Sequence, residues 1–158
     1  MKKLAIISLF LISLGSILFY IYQSPQRKPF HCDAEMIAHI SDPGVERVDL
    51  NAHIDIMYTS ENYGFIKFSG SVKHGENHYS LSRNTYFTIT PSDLENVNKI
   101  AFTHEDIHPR DNTPEDLWKN RILPQIPGIE FYSKVRVVNK NAIIIKGFSN
   151  PLLVCIRH

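Results

Sequence analysis

Cysteine is scarce in this chain: of its 158 residues only Cys32 and Cys155 are cysteines. They form no C-x-x-C pair, which excludes the usual thiol-redox and zinc-ribbon spacings. G-x-S-x-G is missing, as is any phosphate-binding glycine loop, so the local signatures of a serine hydrolase and of a nucleotide-binding enzyme are absent. The formal net charge is +1, and no basic block stands in the body of the chain. Direct contact with nucleic acid is not expected. No internal repeat or low-complexity tract is present, and the nine prolines and seven glycines are spread along the chain. On the residues alone no catalytic residue, no metal ligand set and no cofactor is expected.

What is there first is an apolar run. MKK precedes Leu4 to Tyr22, a stretch without a charge and about the length that crosses a bilayer core as a helix. A cleaved signal peptide would end in small residues, whereas this run ends in Phe19, Tyr20, Ile21 and Tyr22. A buried core helix would carry polar residues on one face. The run therefore predicts an uncleaved transmembrane helix. Lys2, Lys3 and the free amine, weighed against Arg27 and Lys28, lean the N-terminus towards the cytoplasm. The expected organisation is a cytoplasmic tip and transmembrane helix over 1–23, a stiff linker over 24–30 and one periplasmic domain over 31–158. The expectation is a single-pass inner-membrane protein whose body is large enough to build its own core.

The body alternates. Phe30, Cys32, Ala34, Met36, Ala38 and Ile40 share one face, and His31, Asp33, Glu35 and His39 the other, a period of two that predicts a half-buried strand. Ser41-Asp42-Pro43-Gly44 is a turn signal. Val48 to Tyr58 repeats the pattern. Further strands are expected over 64–73, 79–89, 97–103, 129–138, 142–146 and 152–156. Thr113-Pro114-Glu115-Asp116 predicts one short helix, with Thr113 as its capping hydroxyl and proline opening the first turn. Leu117, Trp118 and Ile122 would pack it on the sheet. The expected fold class is mainly β: the N-terminal transmembrane helix, then a small antiparallel curled sheet or barrel with one short helix.

In such a sheet the first and last strands can be neighbours. Cys32 lies on one and Cys155 on the other, and in an oxidising compartment a disulfide is expected between them. Two separate buried thiols are the alternative. Acids at the outward positions Asp33, Glu35, Asp49 and Asp55 read as a solvated face. If the first two strands form a hairpin, His53 falls opposite either Asp33 or Glu35. A carboxylate there favours the imidazolium, so His53, Asp33 and Glu35 are the candidate pH-responsive group. Inward residues Phe30, Met36, Ile54, Ile56, Phe68 and Phe87 line either a solid core or a cavity for an amphipathic small ligand.

His104-Glu105-Asp106-Ile107-His108 matches H-E-x-x-H, a zinc-protease signature that requires both histidines on one helix face. Pro109 disfavours helix at His108, and KIAFT before it reads as strand. The motif is taken as a polar loop, in which adventitious metal binding is more to be expected than a protease site, and no metal site is assigned to it.

The layout, with "NAIIIKGFSNPLLVCIRH" at its end, resembles the FidL-like family of enterobacterial membrane proteins with its PsaF and MyfF relatives. The stretch Tyr132 to Cys155 carries the likeness most specifically. The resemblance implies a non-enzymatic regulatory role similar to that of ToxS and VtrC. Such a protein binds the periplasmic tail of a single-pass winged-helix transcriptional regulator, controlling virulence or fimbrial genes. It also implies a lipocalin-like barrel that accepts a bile-like ligand, with no ligand residue to carry over. A membrane-anchored assembly factor or chaperone for a fimbrial surface structure is the alternative.

Overall fold

The computed structural model describes residues 12–19, 29–59, 62–123, 125–147 and 151–157. The alternating segments form eight strands: β1 (Phe30–Ile40), β2 (Val48–Tyr58), β3 (Tyr63–His74), β4 (Asn77–Pro91), β5 (Asn98–Ile107), β6 (Phe131–Val137), β7 (Ala142–Lys146) and β8 (Pro151–Arg157). Each pairs antiparallel with the next, and β8 returns to β1 to close an up-and-down barrel. Closure matters because it leaves no open sheet with two long edges.

Registers define two ends of the barrel. At one, Phe30 faces Tyr58 and Gly64 faces Phe87; at the other, Ile40 faces Val48 and His74 faces both Val48 and Asn77. The β1–β2 ladder runs the full length of both strands, the β2–β3 ladder that of β2, and the β3–β4 ladder that of β3. β4–β5 is interrupted by a bulge between Thr85 and Phe87, which bends the wall. β3 has glycine where two elements come too close for a side chain. A Cβ on Gly64 would strike the Met57 carbonyl oxygen and lie 2.7 Å from Phe87 Cζ.

Between β5 and β6 the chain crosses the Ile40 end. Helix α2 (Glu115–Leu117) runs into a π-helical turn, Trp118–Ile122. Leu117 and Trp118 are buried, and the Trp118 ring meets Phe68 edge-on at 5.0 Å between centroids. The segment is thus a plug seated on one aromatic side chain.

Two expectations are corrected. The fold class predicted a membrane-spanning helix over 4–22. The described residues of that run, 12–19, form an eight-residue helix, α1, and among the described residues no helix is long and apolar enough to cross a membrane. The rest of the predicted span and most of the linker, residues 24–28, lie outside the described residues. The single capped helix is also wrong. Thr113 makes no cap; its hydroxyl donates to the Ser80 carbonyl at 3.2 Å. The backbone continues as a π-helical turn from which Trp118 is buried.

Candidate functional site: the barrel interior

Inward positions of the strands line a partly open cavity of about 140 Å³. All six residues expected as core or cavity lining, Phe30, Met36, Ile54, Ile56, Phe68 and Phe87, are on its wall. Sequence reasoning did not single out the opposite wall, where Ile100, Phe102, Phe131, Ile145 and Leu153 complete the lining. Those strands are short, and their alternation is weaker. The one polar residue on the wall is Ser133, whose hydroxyl is already committed as donor to the Lys146 carbonyl at 3.1 Å. The cavity therefore offers apolar contact and little else. A dry apolar cavity of about 150 Å³ takes a guest the size of benzene, which sets the scale of what fits without movement.

Below the cavity lies a charged network that the sequence reading passed over. Arg83 points inward between Leu81 and Thr85, and its side chain and that of Asp111 are each 1 % exposed. The guanidinium donates from Nε and NH2 to the two oxygens of Asp111 at 2.9 and 2.8 Å, and from NH1 to Glu115 at 3.2 Å. Its carbon sits 4.6 Å from the centre of the Trp118 ring. Burial pushes the Asp111 carboxyl up, but the Arg83 hydrogen bonds, with the Ser82 and Thr113 amides, outweigh it and hold the pKa below its ordinary value. Glu105 accepts from Trp118 Nε1–H at 2.7 Å and from the Thr85 hydroxyl at 2.9 Å. Period two from Leu81 already places Arg83 inside; that was the signal available.

The same strand geometry disposes of the protease motif. His104 to Ile107 lie on β5, so Glu105 points into the barrel while His104 and His108 point out. The His104 ring stacks on Tyr86 at 4.2 Å. Among the described residues no group of histidines, cysteines and carboxylates is arranged to hold a metal.

Cys32 and Cys155 are disulfide-bonded, with Cα atoms 5.6 Å apart, and both are fully buried. On the outer face the register sets His53 opposite Glu35 and leaves Asp33 opposite Asp55. His53 Nδ1 is 2.9 Å from Glu35 Oε1, and its Nε2 is 3.4 Å from Asp55. The hydrogen bond to Glu35 raises the His53 pKa above its ordinary value, against a small opposing effect of burial and with help from Asp55. Histidine–carboxylate pairs recur across this face: His31 with Asp55 at 3.7 Å, His39 with Asp49 at 2.7 Å, and His74 with Glu46 at 3.7 Å.

Against known families, the model of the family described as "FidL-like putative membrane protein" matches residues 70–155, from within β3 into β8. No curated protein matches the chain.

Proposed function

The chain belongs to the FidL-like family, and on that premise we propose that it is a non-enzymatic accessory protein of the membrane. Its barrel stands on the oxidising, periplasmic side and binds the periplasmic tail of a single-pass winged-helix regulator of virulence or fimbrial genes. It stabilises or modulates that regulator in response to an amphipathic, bile-like guest. The observation that carries this reading is the apolar interior: a barrel wall of aromatic and branched side chains around a cavity of about 140 Å³. Such a site rewards burial of a lipophile and offers no group aimed at a proton or an electron pair. The disulfide favours an oxidising compartment.

The test is co-purification of the full chain with a candidate single-pass winged-helix regulator. The regulator should be retained by the full chain, and its tail should raise the melting temperature of the barrel by mass action, since it binds only the folded state. Failure of both at saturating tail removes the partner from the reading.

A further inference from the structure

The barrel wall is not uniform. Strands β1 to β5 are joined by long ladders, and β6, β7 and β8 are joined to each other from Lys134 to Ile156. The two sets meet along short seams. β5 and β6 share only Asn98↔Ser133, Lys99↔Tyr132 and Ile100↔Phe131. Among the described residues β1 and β8 share only Cys32↔Arg157 and Asp33↔Ile156. One of these seams is stapled by the Cys32–Cys155 disulfide; the other has no covalent tie. The unstapled seam also opens directly onto the cavity, because Ile100 and Phe102 on one side of it and Phe131 and Val135 on the other are lining residues. What closes it from inside is the Phe102–Phe131 ring pair, 5.3 Å between centroids. Outside, Lys99 and Glu130 stand 4.0 Å apart, a separation at which an exposed ion pair adds little.

One end of the barrel is less inviting, because Trp118 and the Arg83 network fill it. At the other end Phe30 and Tyr58, ladder partners on neighbouring strands, lie tilted at 5.6 Å between centroids, and Asn62 accepts from the Tyr58 hydroxyl. Volume then bears on the choice. A cavity of about 140 Å³ suits a single ring, whereas an amphipath with two or more rings needs more room. Parting the three residue pairs of the β5–β6 seam, with the Gly128 N–H bond to the Phe102 carbonyl, supplies it, while unseating Trp118 would break a buried charged network.

We infer that the β6–β8 meander is a side door to the interior, swinging open between β5 and β6 about its disulfide staple on β1, and that multi-ring lipophiles are taken up through it. This rests on the cavity being a binding site but not on the identity of any protein partner.

The test locks the door. In the full chain, Lys99→Cys with Tyr132→Cys places a second disulfide across the β5–β6 seam, verified by mapping non-reduced peptides. Lys99→Ser with Tyr132→Ser is the unlinked control. Uptake of N-phenyl-1-naphthylamine is followed by stopped-flow fluorescence, with Ile145→Phe supplying the background of a filled cavity. Uptake by the locked chain should slow by about tenfold or more, as for a gated site, while the unlinked control matches the parent. Amides of β6 should also exchange faster than those of β2 and β3, and locking should slow them. Equal uptake rates in locked and unlinked chains overturn the door and place access at an end of the barrel. No uptake above the filled-cavity background in the parent chain overturns the binding site and the door with it.

Discussion

Arg83 is the side chain whose loss should cost this barrel most. Breaking one partner of a buried ion pair leaves the other charge without compensation, a cost of about 3–5 kcal/mol. Arg83→Ala should show it as a loss of that order in denaturant midpoint at unchanged slope. Arg83→Met fills the volume yet still strands Asp111, so it should recover only part. Asp111 adds a pH signature of definite sign. Its folded pKa is lowered, so its contribution is present above the unfolded carboxyl pKa and is lost as pH falls through the folded one. His53 has the opposite sign. Its folded pKa is raised, so its contribution is full below about pH 6.5, the unfolded value, and disappears as pH rises through the folded pKa. The His53 side chain is 40 % exposed, so solvent screening keeps the effect to less than about 1 kcal/mol. An NMR titration should place His53 above the model-peptide value, and Glu35→Gln should bring it down; a value unmoved by that substitution would remove the pairing. Of these residues, the His53 pairing was legible in the alternation as one of two registers. Only the observed turn, with Val45 N–H bonded to the Asp42 carbonyl, selects Glu35 over Asp33. Arg83 was legible in its periodicity but was overlooked, because a charge at an inward position makes sense only once Asp111, far along the chain, is known to meet it.

Among the elements, the seam between β1 and β8 carries the closure. The disulfide joins residues 123 apart, and the chain-entropy model assigns so long a loop about 5 kcal/mol, an upper figure that ignores strain. Cys32→Ser with Cys155→Ser should therefore lower stability by several kcal/mol. The loss should be accompanied by faster amide exchange in β8 before β2 or β3 is affected, since two residue pairs alone would hold that seam. Uniform exchange across all strands in the double variant would show that closure does not depend on the staple. Strands β1 and β2 were readable nearly to the residue because each alternates for eleven positions. β5 was not: its expected end at 103 falls short of Ile107, since the polar HED stretch hides a strand whose inward residue is Glu105. The plug was misread for a related reason. A capping hydroxyl and a proline are local signals, whereas the Ser80 carbonyl that captures Thr113 comes from tertiary contact.

At the scale of the molecule, eight strands close around a cavity whose wall is apolar but for Ser133, beside the buried Arg83 network. Composition and alternation led to a β domain with a curled sheet or barrel, and the lining of its first half was readable. Whether the interior is solid or hollow was not, because a missing volume depends on how Phe102, Phe131 and Leu153 pack and not on any one residue. Among the described residues no helix long enough to span a membrane is found for the apolar run at 4–22, and the barrel does not depend on one. The central claim is that this interior is a binding site for a lipophile. It is tested most directly by titrating a bile salt into the full chain labelled at isoleucine and leucine methyls. The account predicts saturable shifts confined to cavity methyls such as those of Ile54, Ile66, Ile145 and Leu153, with outward Ile37 unmoved. Shifts restricted to outward methyls, or no saturable shift at all, would contradict it.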